Sequence, residues 1–156
     1  MPTIQTRKRG TQFIPESSNQ MQERFVNYLM KKGKKSTARK ILNDTFKIIA
    51  KKTSSDPEKI FRLAIDKVKP VMEVKPKRIG GAVYQIPLEV KVERQLALTF
   101  RWILGAARSK KGSPMCERLA TELIEASNEQ GTAMKKKLDT ERMAQANKAF
   151  AHFAKY

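Results

Sequence analysis

Cysteine, histidine and tryptophan each occur once in these 156 residues. A single cysteine, Cys116, leaves no internal disulfide to form and implies no oxidising compartment. One thiol and one imidazole, His152, fall short of the four ligands of a structural zinc site, so neither metal nor cofactor is expected. The same lone histidine, close to the C-terminus, supports no Ser–His–Asp constellation, and no catalytic residue is expected. No apolar run is long enough to cross a bilayer. The polar start, with Thr3, Gln5, Thr6 and Gln12, lacks a signal-peptide pattern, so no membrane partner is expected.

Acids are scarce too. Fifteen Asp and Glu face 33 Lys and Arg, a formal charge of +18. Between Glu23 and Asp44 no acid occurs, while Lys31, Lys32, Lys34, Lys35, Arg39 and Lys40 crowd the interval. A compact domain so unbalanced repels itself unless a polyanion neutralises it. Nucleic acid, held through its phosphates, is the default partner.

Residues 1–19 show no clean periodicity and carry Arg7, Lys8 and Arg9, which reads as an extended basic arm. Residues 20–156 read as one mainly α domain. Met21, Phe25, Val26 and Leu29 predict a first helix closed by Gly33. Ser36 is the expected N-cap of a second, with Ile41, Leu42, Thr45, Phe46 and Ile49 as its inner stripe. Asp56 and Pro57 open a third, which Pro70 stops. A β-hairpin at about 72–91 turns at Gly80-Gly81. A three-residue loop, Gly80 to Ala82, is the expected register, because it groups Val74 and Pro76 with Tyr84, Ile86 and Leu88. An isolated two-stranded ribbon is marginal, so it is expected to lean on something outside the domain. Leu96, Phe100, Ile103, Leu104 and Ala107 mark a fourth helix. Ser113 and Pro114 start a fifth that ends at Gly131, and a sixth runs to the C-terminus through Leu138, Met143, Phe150 and Phe153. The expected fold is a six-helix, bundle-like body with one protruding hairpin between helices three and four.

The sequence from Gly33 to Thr37 is no nucleotide-binding loop, since Tyr28 stands where the first glycine belongs and Lys35 follows the lysine. Glu122 and Glu125 read as helix-surface charges. Most phenylalanines fall on the apolar stripes, so no exposed stacking platform is expected, and recognition should be by shape and phosphate on a folded RNA or duplex. Lys31 to Lys40, and Lys75, Lys77 and Arg78 on the hairpin, are the strongest candidate phosphate contacts. Lys110 and Lys111 are weaker ones.

Three long blocks then become familiar: FVNYLMKKGKKSTA (25–38), VKPVMEVKPKRIGGAVYQIPLEV (68–90) and MAQANKAFAHF (143–153). Together with RWI, AAR and GTAMKKK at 101–103, 106–108 and 131–137, they closely resemble the small-subunit ribosomal protein seven family, bacterial and organellar type. The resemblance implies a primary binder of the 3′ major (head) domain of small-subunit rRNA that nucleates head assembly and lies at the tRNA exit site. Carried onto matching positions, it implies rRNA contact at Arg7, Lys8, Arg9, the Lys31–Lys40 cluster, Lys75, Lys77, Arg78 and Met115; Arg108, Lys110 and Lys111 join these as candidate rRNA contacts. It implies exit-site tRNA or neighbouring-protein contact, including protein eleven, at Gly80, Gly81, Ala82, Val83, Tyr84 and Lys148. Its own messenger RNA is a further implied partner in some members. The setting is the ribosome of a bacterial cytoplasm, or of a plastid or other organelle. The alternative is a DNA-architectural protein using the basic ribbon as its arm. An RNA-modifying enzyme would need a cofactor loop or titratable cluster that does not occur.

Overall fold

A computed structural model describes Pro15 and residues 18–155, side chains 154 and 155 excepted; the Arg7–Arg9 cluster lies outside the described residues. Helix α1 (Gln20–Leu29) starts on a reciprocal cap. The Gln22 N–H donates to Asn19 Oδ1 at 2.9 Å, and the Asn19 N–H donates back to Gln22 Oε1 at 3.2 Å. Helix α2 (Lys35–Thr53) follows, then α3 (Pro57–Val68), where Asp56 accepts from the Glu58 N–H and Pro57 occupies the first turn as expected. Strands β1 (Met72–Ile79) and β2 (Ala82–Glu89) form the antiparallel hairpin. Helices α4 (Val92–Ser109), α5 (Met115–Ser127) and α6 (Gly131–Ala146) complete the body.

All six helices contribute to one apolar core. Phe25 sits at its centre, with Phe61 and Phe100 edge-on at centroid distances of 5.3 and 5.2 Å. Helix α5 is the hub. Leu119, Ala120, Leu123 and Ala126 are fully buried, and the helix packs on α2, α3, α4 and α6.

The hairpin register is a two-residue loop, with Ile79 opposite Ala82, Lys77 opposite Tyr84 and Lys75 opposite Ile86. The expected three-residue loop is therefore wrong. Gly80 and Gly81 both take positive φ (57° and 90°), the primed-turn geometry that matches strand twist and that only glycine adopts freely twice in a row. The ribbon leans on its own domain, where an outside support was expected. Tyr84 packs on Phe150 and Phe153, at 5.2 and 5.5 Å, and β1 packs on α6.

Other local expectations also fail. The sixth helix does not run to the end: it stops at Ala146, Asn147 turns the chain, and Lys148–Lys155 continue as a 3-10 helix. Leu138 and Met143 are about half exposed (49% and 52%) rather than core. Ser36 lies inside α2 and caps nothing, since α2 starts from Lys34. Pro114 rather than Ser113 is the residue before α5. Gly131 opens α6 instead of closing α5. Among the described residues no helix is long and apolar enough to cross a membrane.

Candidate nucleic-acid interface

The α1–α2 connection is tight. Lys32 and Gly33 both take positive φ (52° and 74°), and the Lys35 N–H donates to the Gly33 carbonyl at 2.8 Å. This turn sets Lys31 and Lys34 beside the α4–α5 connection. There, Arg108 in the last turn of α4 donates through Nη2 to the Tyr28 and Leu29 carbonyls, at 3.3 and 3.2 Å. Arg118, one turn into α5, donates through Nη1 to the carbonyls of Lys110 and Arg108. Each guanidinium thus satisfies carbonyls at the end of a helix, where positive charge is favoured. Two arginines are held in place by backbone, with further N–H groups left over.

These elements enclose a groove of about 370 Å³ between α1, α2, α4 and α5. Lys31, Lys34, Arg108 and Arg118 rim it, while Leu29, Ile41 and Met115 supply apolar lining. Four of the residues assigned to RNA contact from the sequence, Lys31, Lys34, Arg108 and Met115, therefore meet in one place. Arg118 was missed. It stands three residues after Met115, one turn along the same helix face, and that spacing was legible.

The cations divide into two populations. Glu23, 1% exposed, takes a two-pronged contact from Arg39 (Nε to Oε1 and Nη2 to Oε2, both 2.9 Å) and an ion pair from Lys35 at 3.0 Å. The Arg39 hydrogen bonds, with Lys35 assisting, hold its carboxyl below the ordinary range despite burial; they raise the Arg39 guanidinium in turn. Lys110 contacts Glu122 at 2.9 Å and Glu125 at 2.7 Å. Burial opposes its charge, yet these two carboxylates outweigh burial and raise its pKa. Glu122 is no surface charge: it is fully buried and also accepts the Ala133 N–H at 2.8 Å, tying α5 to the start of α6. At the hairpin foot Glu73, 8% exposed, takes Arg94 at 2.8 Å and Lys75 at 3.4 Å. Lys35, Arg39, Lys75 and Lys110 thus neutralise acids within the fold. By contrast, Lys31, Lys34, Arg108 and Arg118 have no carboxylate in salt-bridge range among the described residues. The groove gathers four cations that no carboxylate among the described residues neutralises, as none neutralises Lys32, Lys40, Lys77 or Arg78 elsewhere on that surface.

The other sequence-assigned positions lie elsewhere. Lys32, Lys40 and Lys111 are exposed beside the groove in sequence but do not line it. Lys77 and Arg78 project from β1 without an acidic partner among the described residues. Gly80, Gly81, Ala82 and Val83 are exposed at the tip, and Val83 is 63% exposed. Tyr84 is half-buried against the C-terminal segment that Lys148 begins. His152 is exposed, with Nδ1 2.8 Å from the Ala149 carbonyl, and Cys116 is half-buried and free.

Comparison with known proteins agrees with the resemblance. A model of the family described as ribosomal protein S7p/S5e matches residues 3–148. The small ribosomal subunit protein uS7 of Thermotoga petrophila is 55% identical over 130 residues, covering 83% of this chain and 84% of that protein. The protein of the same name from Prochlorococcus marinus (strain NATL1A) is 48% identical over 139 residues, 89% of each chain. That from Treponema denticola is 54% identical over 130 residues, 83% of each. Built on six helices and one basic hairpin, and alike over nearly its whole length, the chain belongs to the ribosomal protein S7p/S5e family.

Proposed function

We propose that this chain is a non-catalytic structural component of the small ribosomal subunit, binding the 3′ major (head) domain of its rRNA and nucleating head assembly. The observation that carries this reading is the cluster of unpaired cations, Lys31, Lys34, Arg108 and Arg118, held around one groove of a chain with charge +18. An array of cations placed by the fold lowers the free energy of the RNA arrangement whose phosphates fit it, whereas mobile counterions screen every arrangement alike. Lys77 and Arg78 extend the positive surface onto the hairpin. The exposed tip, Gly80 to Val83, then reaches away from the body toward exit-site tRNA and a neighbouring head protein. Residues 1–19 act as a basic arm, and residues 20–156 as the folded domain.

Binding of the purified chain to a transcript of the head domain, titrated across salt, tests the proposal. The logarithm of affinity should fall by about 0.7–0.9 per logarithm of salt for each phosphate neutralised. An affinity flat in salt, or equal preference for duplex DNA, sinks it.

A further inference from the structure

The α4–α5 turn is strapped down from both directions. Lys110, the residue after α4, reaches with its ammonium to Glu122 Oε2 at 2.9 Å, two turns into α5, and to Glu125 Oε2 at 2.7 Å. Arg118, coming the other way from α5, donates through Nη1 to the Lys110 carbonyl. The two contacts share one residue, so what fixes the Lys110 side chain also fixes the carbonyl on which Arg118 rests. Arg118 in turn rims the groove.

Lys110 is poorly placed to serve RNA directly. Glu122 is fully buried, and its Oε2 has no partner among the described residues besides this ammonium. Its other oxygen holds the Ala133 N–H, so the carboxylate cannot swing out to water without freeing the start of α6. A phosphate could claim Lys110 only by leaving a buried carboxylate without its counter-charge. That loss exceeds the gain from one exposed phosphate contact, which water and salt both weaken.

We propose that Lys110 is a positioning residue for RNA binding that acts through Arg118: held by Glu122 and Glu125, it fixes the turn whose carbonyl presents the Arg118 guanidinium at the groove. The inference rests on the RNA-binding reading above and deepens it. Arginine is long and rich in rotamers, and holding it in place beforehand removes an ordering cost that would otherwise oppose association.

Two changes with opposite effects on net charge test this: Lys110→Met, and Glu122→Gln combined with Glu125→Gln, which leaves Lys110 present but unstrapped. Glutamine at 122 keeps an acceptor for the Ala133 N–H and buries no unpaired charge, so the glutamine pair decides the matter should Lys110→Met fail to fold. Each change is made with Arg118 intact and with Arg118→Met. Binding to a head-domain rRNA transcript is measured at moderate salt on chains whose helicity matches wild type. Both changes should weaken binding about fivefold, although the glutamine pair makes the chain more positive. With Arg118→Met in place, either change should add less than about twofold. If Lys110 contacts phosphate, or if net charge alone matters, the glutamine pair strengthens binding instead. If Lys110 serves only the fold, stability falls while the affinity of the folded chain holds. Either result overturns the positioning role, as does an undiminished loss in the Arg118→Met background. A wild-type chain that does not bind the transcript overturns the ribosomal reading itself, and the positioning role falls with it.

Discussion

Arg39 grips Glu23 with both sides of its fork, at 2.9 Å on each carboxylate oxygen, and so joins the partly exposed start of α2 to a buried carboxylate of α1. A cation in the most basic stretch of the chain therefore holds the fold together. Arg39→Ala leaves a buried carboxylate with Lys35 as its remaining partner. Stability should fall measurably, because the carboxylate is buried even though the guanidinium is partly exposed. Lys34→Ala, on an exposed side chain without an acid, should stay within about 0.5 kcal/mol of the parent. Urea denaturation distinguishes them. RNA titration should reverse the ranking once both chains are folded, with Lys34→Ala reducing the salt slope by about 0.7–0.9. Equal stability of the two variants would show that the pair carries no structural weight.

The same pair predicts a pH dependence. The Arg39 hydrogen bonds place the folded pKa of Glu23 below its unfolded value. Its contribution is then complete above the ordinary glutamate pKa of about 4.3 and is lost as pH falls through the lowered folded value. Glu23→Gln should be less stable than the parent by about 1–3 kcal/mol at neutral pH. That gap should close on acidification through the folded pKa. Glu129, held low by Lys67 on the surface, adds an acid-labile contribution of the same sign that salt should weaken. Denaturation midpoints at several pH values and two salt concentrations measure both. A gap that stays constant down to acid would contradict the assignment.

Gly131 and Gly112 have nearly the same backbone, φ of 90° and 91°, but different surroundings. A Cβ at Gly112 would meet open space, whereas one at Gly131 would fall 3.0 Å from Glu125 Cβ and Oε2, and 3.1 Å from Glu122 Oε1. Alanine at either position incurs the left-handed penalty of about 1–2 kcal/mol. At Gly131 it must also push on the carboxylates that hold Lys110. Gly131→Ala should therefore be the more damaging, and its excess should shrink only in part in an Lys110→Met background, where Glu125 is released but Glu122 Oε1 still holds the Ala133 N–H. Thermal melts of the four chains form the double-mutant cycle. Additive losses would place the two effects in separate parts of the fold.

Much of the framework was legible because it rests on local chemistry. Asp56-Pro57 starts α3 by supplying an acceptor and removing a donor, and Gly80-Gly81 marks the hairpin whatever its surroundings. The register was not legible from the faces alone. Separating polar from apolar side chains favoured a longer loop, but Lys75 sits acceptably among Ile86 and Leu88 because Glu73 lies 3.4 Å away on the same face. Glu122 was misread as a surface charge, and the burial of Glu23 went unread, for a related reason. Helical spacing shows which way a side chain points but not that a cation from another helix will meet it there, and Arg39 and Lys110 come from 16 and 12 residues further or nearer along the chain. The groove draws on α1, α2, α4 and α5 at once, so only its individual members could be named beforehand.

The hairpin and the C-terminal segment meet through Tyr84, Phe150 and Phe153, which separates an anchored base from an exposed tip. Tyr84→Ala should remove that anchor and raise hydrogen exchange over 148–155, with the body's melting little changed. Removing the paired residues Ile79 and Ala82, with Gly80-Gly81 retained as the turn, keeps the strand register and leaves the aromatic contact and the groove untouched. Such a chain should bind the head-domain transcript with wild-type affinity and salt slope. Small subunits assembled with it should hold exit-site tRNA less well, because the shortened tip is the part proposed to face that tRNA and the groove keeps all of its lining. If shortening the tip weakens rRNA binding as much as replacing Lys31 and Lys34 does, tip and groove serve the same contact, and the division proposed between them is wrong.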